Sequence, residues 1–451
     1  GRQCLPRGQG EDDRMLLRKG AKWKAGLASA LVWGSGQLWN RQYVKAAFFF
    51  LMQVILINAL PSLQYGLWGL FTLGETEMII QGSKVTQGDN SIILMILGIV
   101  WAMVAILFAC IYYANIKDAI RDRSKLDQGI SLPNVKEWIH TFKEKSFPYA
   151  MLVPAIILIA LFVVVPIMFG FLIAFTNYSA PNYLPPRSLV DWVGFQNFVD
   201  MVKLPMWNST FWGVLGWTLL WSVISTLSCF FGGLGMACLV NNRRVKCRKF
   251  WRTIYILPWA IPGMISLLVF RNMFNGQFGP INTFLRDQGI ITQNIPWLSD
   301  PTLAKIVIVV VNFWLGFPYF MAMMSSVMSS ISPELLEAAR IDGANPRQEF
   351  RRITLPLVLY STAPLLIMSF ATNFNNFNVI YFLTNGNPIN PEYMYAGSTD
   401  ILITWIYKLT NDNRQFQMAA VMSIMVFVVI AAISTWNFLR TKAFTEEDMM
   451  G

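Results

Sequence analysis

"ELLEAARIDGANPRQEFRRITLPL", residues 334–357, is charged, carries a glycine and two prolines, and lies between two long apolar runs. Ser332 suits an N-cap and Pro333 the first helical position. Glu334 then falls in the first turn, where a carboxylate meets the positive end of the helix dipole. "ELLEAARI" predicts a short helix, which Gly343 stops by taking a left-handed conformation. Asn345-Pro346 opens a second helix, "RQEFRRIT", that runs into Leu355-Pro356. Small Ala338 and Ala339 leave room for another backbone to approach. A plain solvated connection needs neither helix nor corner.

The surroundings belong to a membrane. Of 451 residues, 55% are hydrophobic and 14% charged, against roughly 25% charged in soluble domains. A helix crosses the hydrocarbon core with about 20 apolar residues. Segments 45–73, 91–114, 148–176, 209–240, 253–273, 303–330, 355–383 and 415–440 meet that requirement, predicting an all-α integral membrane protein with eight transmembrane helices. Pro154, Pro166 and Pro364 are expected to kink their spans without ending them. "LASALVWGSGQLWNRQ" (27–42) predicts an interfacial or re-entrant elbow, with Trp33 and Trp39 at headgroup level. The expected organisation is an N-terminal segment and elbow (1–44), two spans (45–114), a linker (115–147), a six-span core (148–440) with its polar loop at 332–356, and a tail (441–451).

Eight spans put both termini on one side. Segments 1–45, 115–147, 241–252, 331–354 and 440–451 then hold 28 of the 36 Lys and Arg. Positive charge accumulates inside, so both termini and the 334–357 loop are expected on the cytoplasmic side. The net +11 follows from topology and attraction to anionic lipid. Basic residues spread over five segments make no nucleic-acid surface. Residues 1–14 lack the charged-then-apolar pattern of a cleaved signal, and no apolar run precedes Cys4.

One histidine and five cysteines without ligand-like spacing leave no metal site and no catalytic residue. No GxxxxGK[ST] phosphate loop occurs, and the span centres lack Asp, Glu, Lys and Arg. Ion-coupled carriers keep such a group at membrane depth, so energy is expected from a partner. A self-sufficient secondary carrier would also show an internal repeat, and a membrane enzyme an acid or His cluster near a span end. Neither is present.

The polar residues within spans gather in "LPWAIPG" (257–263), "NFWLGFPYF" (312–320) and "SFATNFNNFNVIYF" (369–382). Asn373, Asn375, Asn376 and Asn378 are costly in hydrocarbon unless they bond neighbouring helices or line a wet cavity. On a continuous helix Ser369, Asn373 and Asn376 share one face. Neutral amides among aromatic rings suit a polyhydroxylated, uncharged ligand, whereas an ion would call for a counter-charge.

"EAARIDGANPRQEFRRITLPL" resembles the EAA loop of ABC-importer membrane subunits, and "GFPY" with "SFATNFNNF" is similar to the MalF-type permease of maltose/maltodextrin importers. The resemblance covers about residues 148–440 and implies a type I importer core of six spans preceded by two. It implies that Glu337, Ala338, Ala339, Asp342 and Gly343 form the coupling helix held by the ATPase. It also implies that Trp259, Gly263, Gly316, Tyr319, Ser369, Thr372, Asn373 and Asn376 line the sugar site. The best-known relative carries Tyr, Ser and Phe in place of Trp259, Gly263 and Thr372. The function implied is ATP-driven import of maltodextrin-like oligosaccharides by alternating access, with galactan- or multiple-sugar-type permeases as the alternative. The implied partners are a second permease of MalG type, a dimer of ATP-binding subunits of MalK or MsmX type that holds ATP and Mg²⁺, and an extracellular solute-binding lipoprotein. The 177–208 loop is short beside the large insert of enterobacterial relatives, so binding-protein contacts are expected from short outer loops, 384–397 among them.

Overall fold

The computed structural model describes residues 22–81, 84–133, 135–242 and 245–440. The expectations for residues 1–21 and 441–451 lie outside the described residues. Two compact units are present, Gly1–Gly194 and Phe195–Gly451.

In the first unit, helix α1 (22–31) and α2 (Ser35–Trp39) precede α3 (Tyr43–Thr72) and α4 (Ser91–Asp127). The elbow is stitched to α4: Asn115 accepts from the Gly34 amide and donates to the Ser29 carbonyl, and Asn40 donates to the Ala119 carbonyl. Trp33 is buried with its ring 5.5 Å from Tyr112, because the polar stitching draws the elbow inward; Trp39 is exposed. Lys45 on α3 bridges Asp118 at 2.8 Å and Asp122 at 2.7 Å on α4.

Among the described residues, the fold is all-α apart from one small hairpin. Strands β1 (Ile79–Gln81) and β2 (Lys84–Thr86) pair antiparallel, Ile79 opposite Thr86, since β-branched residues flank a Gly-Ser pair. Asp89 closes this loop by accepting from the amides of Glu75 and Thr76, which hold its carboxyl below the ordinary carboxylate range.

The third span is α5 (Val135–Ile159) joined to α6 (Val165–Ile173) through a π turn, Ala160–Val164. A second π turn, Phe350–Thr354, precedes the seventh span. Each ends two residues before a proline, Pro166 or Pro356, whose missing N–H and bulky ring disturb the α ladder there. Pro154 and Pro364 lie inside helices without ending them.

The second unit opens with α7 (Gln196–Lys203) and α8 (Pro205–Asn241). Helices α9 (Arg248–Ala260) and α10 (Gly263–Met273) meet at a 90° bend. After α11 (Pro280–Asp287) come α12 (Pro301–Ser330), α13 (Pro333–Ile341), α14 (Pro346–Glu349), α15 (Leu355–Phe374), α16 (Phe377–Leu383), α17 (Leu402–Asn411) and α18 (Phe416–Arg440).

Among the described residues, six helices are long and apolar enough to cross a membrane, seven if the bent α9–α10 pair is one span. The expected continuous fifth span is therefore corrected to a broken one. Ile261 precedes Pro262 and adopts extended backbone, φ −97° and ψ 130°, the conformation a following proline enforces. The seventh span is also broken, at Asn375–Asn376, where Asn376 caps α16 by accepting from the Val379 amide. The eighth expected span coincides with α18, whose described apolar part, Phe416–Ala432, is too short to count alone.

Helices α8 and α12 form the core of the second unit. Without a hydrophobic driving force between helices in lipid, small residues at the contact permit close packing. A Cβ on Gly233 would strike Phe320, and one on Gly316 would lie 2.7 Å from Cys229 Sγ. In the loop after α16, Asp400 is fully buried, with Lys408 Nζ at 2.7 Å. It also accepts from the Gly397 amide and the Thr404 hydroxyl. Burial pushes its carboxyl above the ordinary range, opposed by Lys408 and these donors.

Candidate functional site

The two breaks converge. Unwound backbone at membrane depth persists only where protein buries it or a cavity is lined by it. Here the α9–α10 bend and the α15–α16 break border a cleft of about 570 Å³. All eight residues expected at the sugar site, Trp259, Gly263, Gly316, Tyr319, Ser369, Thr372, Asn373 and Asn376, line it. The single-face argument for Ser369, Asn373 and Asn376 is corrected in its cause: the helix ends at Phe374, and Asn376 reaches the cleft from the cap of the next helix.

An amide chain runs along one wall. Asn376 Nδ2 donates to Asn312 Oδ1 at 3.4 Å, Asn312 Nδ2 to Asn373 Oδ1 at 3.5 Å, and Asn373 Nδ2 to Thr226 Oγ1 at 3.1 Å. Trp221 Nε1 fixes the Asn373 carbonyl at 3.0 Å. In the same lining, the rings of Trp259 and Tyr319 lie 5.7 Å apart, and Trp259 is 57% exposed. No ionisable carboxylate, lysine, arginine or histidine lines the cleft. The arrangement offers neutral donors and acceptors beside flat apolar rings, which suits hydroxyl groups and the apolar faces of sugar rings. Its lining holds no Asp, Glu, Lys, Arg or His to serve as an acid–base pair, and no group of metal-ligating side chains occurs among the described residues.

Asn312 and Asn378 also line the cleft although neither is among the expected site residues. Asn312 stands at the head of "NFWLGFPYF", and its link in the amide chain emerges only once α12 and α15 are packed. Cys229 is buried and lines the cleft as well.

The second candidate surface lies between α12 and α15. No residue of α13 is buried. Gly343 has φ +83°, the left-handed corner its position requires. Ser332 stands at the N-cap, yet its side chain makes no capping hydrogen bond; the expected cap is instead built at the second helix, where Asn345 and Gln348 form a capping box. Arg340 spans the corner to Glu349 by two 2.9 Å hydrogen bonds, and that carboxylate raises the Arg340 guanidinium's affinity for its proton. Ala339, Asp342 and Gly343 border a hollow of about 320 Å³, and Ile341 projects 86% exposed. Glu337 and Ala338 sit on the exposed part of the same helix.

Residues 229–441 match the family described as "Binding-protein-dependent transport system inner membrane component". The galactooligosaccharides transport system permease protein GanP of Bacillus subtilis is 37% identical over 423 residues, 93% of this chain and 98% of the relative. The maltodextrin transport system permease protein MalC of Streptococcus pneumoniae is 36% identical over 439 residues, 94% and 97% respectively. The chain belongs to the MalF-type family of ABC-importer permeases. A solved relative, a bacterial ABC transporter "involved in the import of the acidic polysaccharide alginate", matches 66% of this chain and 96% of its own with TM-score 0.54 and 26% identity. The permease is thus a multi-pass membrane transport subunit and not itself an enzyme. Its family works with a second permease, an ATPase and a solute-binding protein.

Proposed function

We propose that this permease carries a neutral oligosaccharide of maltodextrin type through the cleft between its two broken helices, by alternating access. The observation that carries the reading is a cleft lined by linked amides and by the Trp259 and Tyr319 rings with no charge among them. An acidic polymer brought into such a site would leave its carboxylates without a partner, at a cost of several kcal/mol each. The size of the cleft is in the range of small-molecule sites.

The termini and α13 face the cytoplasm, as the distribution of Lys and Arg requires. An ATP-hydrolysing partner holds α13 and the Gly343 corner, with Glu337, Ala338, Ala339 and Asp342 at the contact. Closure of that partner on ATP pulls the corner and turns the attached span, exposing the cleft outward to the binding protein, which docks on outer loops including 384–397. ATP and Mg²⁺ stay on the partner. The second permease covers the open side bearing Trp259. The 37% identity to a galactooligosaccharide permease supports a galactan-type cargo as the second reading.

The experiment is uptake into proteoliposomes holding the assembled transporter, with labelled maltotriose, galactotriose and a uronic-acid trisaccharide. ATP-dependent accumulation of a neutral sugar and not the uronate is expected; which neutral sugar moves decides between the readings. Equal uptake of the uronate, or accumulation by this chain alone, refutes the proposal.

A further inference from the structure

A groove in the first unit has no place in the transport reading. It lies between the start of α1 and the C-terminal part of α4, has a volume of about 530 Å³, and carries Ile116, Ile120 and Tyr113 on its walls. Its rim bears Lys22, Lys117, Arg121 and Lys125.

The charges of α4 are sorted by face. Lys117, Arg121 and Lys125 recur every four residues, so they stack on one side of the helix. The acids occupy the neighbouring stripe and are already engaged: Asp118 and Asp122 by Lys45, Asp127 by Arg123 at 3.2 Å. Among the described residues, none of the four rim cations is in an ion pair. Lys117 lies only over the Tyr113 ring, 5.6 Å from its centroid.

The depth of the groove identifies its surroundings. Helix α4 begins at Ser91, so Tyr113 stands about 33 Å further along the axis at 1.5 Å per residue. The hydrocarbon core is about 30 Å thick. Tyr113 and Ile116 thus sit at its edge, and the cations lie one to three turns beyond, at headgroup level. Apolar walls continuous with the acyl region, topped by unpaired cations, match one molecule in both halves.

We infer that this groove is a binding site for an anionic phospholipid, its phosphodiester held by Lys117, Arg121, Lys125 and Lys22 and the first part of a chain lying on Ile116 and Ile120. Basic pockets between helices on the inner side of membranes bind such headgroups. The site fastens the α1–α4 junction, and with it the elbow, to the bilayer.

The test is native mass spectrometry of the assembled transporter taken from nanodiscs of phosphatidylglycerol and phosphatidylcholine. Three variants are compared: wild type, the triple variant Lys117→Gln, Arg121→Gln, Lys125→Gln, and a charge-matched control, Lys246→Gln, Arg248→Gln, Lys249→Gln. Each cation near an anionic surface is worth about fivefold in binding. Retained phosphatidylglycerol should therefore fall about 100-fold in the groove variant, and stay at the wild-type level in the control. A photoreactive phosphatidylglycerol should label Tyr113 or Ile120. Equal loss in both variants would reduce the effect to bulk charge, and unchanged retention in the groove variant would remove the site. Displacement of the lipid by millimolar inorganic phosphate would show a free-anion site. Carbodiimide coupling of Lys117 or Lys125 to Glu11, Asp12, Asp13 or a partner subunit would show a protein occupant. Each of these four results overturns the inference.

Discussion

Gly343 gives the sharpest handle on coupling. Its φ of +83° is open to glycine, costly for a residue with a Cβ, and closed to proline, whose ring fixes φ near −65°. A Cβ built there meets nothing within 4 Å, so Gly343→Ala has no steric cost from neighbours and isolates the backbone term. That term is about 1–2 kcal/mol, or about 5–30-fold in any equilibrium that needs the corner formed. Asn tolerates the left-handed region better than Ala, so Gly343→Asn should fall between Ala and wild type. Gly343→Pro also loses the amide that donates to the Arg340 carbonyl at 3.0 Å, and should abolish coupling. The assay is the affinity of the ATPase subunit for the purified permease pair, alongside sugar-stimulated ATP hydrolysis in proteoliposomes. Insertion into the membrane should be the same for all four proteins. A proline variant that transports at the wild-type rate, or an alanine variant as poor as proline, would refute the argument.

Asn376→Ala removes both the cleft amide and the α16 cap; uptake should fall at least tenfold while the isolated binding protein keeps its sugar affinity. Gly316→Ala presses on Cys229 and should lower thermal stability by about 1–3 kcal/mol of overpacking, with Cys229→Ala in the same chain restoring it. Asp400→Asn leaves the largely buried Lys408 without its counter-charge, a loss of up to about 3–5 kcal/mol to this loop; amide exchange across 384–401 should rise, and adding Lys408→Met should reverse much of the rise. The protection Asp89 gives the Glu75 and Thr76 amides depends on its ionised carboxylate, whose affinity for a proton is lower folded than unfolded. That protection should be complete above the ordinary carboxylate range and vanish as pH falls through the lowered value, and Asp89→Asn should remove this pH dependence.

The helix–corner–helix of 333–349 was legible because each device is local: Gly343 needs only its own φ, and Asn345 caps a residue three positions on. The spans were legible from composition alone. The breaks were not, because a hydropathy window of about 20 residues is insensitive to backbone conformation. The sequence did carry their signals, Ile261 ahead of Pro262 and paired asparagines at 375–376, but an apolar context outweighed them. The eight cleft residues came from resemblance, and the structure shows where they meet. Asn312 went unnamed because its role depends on Asn373 and Asn376, over sixty residues away. The burial of Trp33 was not legible, because an aromatic near a span end suits an interface and a core equally well; Asn115, from another helix, decides.

The Gly233–Phe320 and Gly316–Cys229 contacts leave α8 and α12 no clearance to slide or roll against each other. They act as a stator. On the alternating-access reading proposed above, rotation would be taken up elsewhere, at Ile261–Pro262 and at Asn376, where the backbone leaves helical geometry. Since those same joints border the cleft, a cargo held there on that reading would sit on the bearings of the machine, and its fit would bear directly on the ease with which the gate turns.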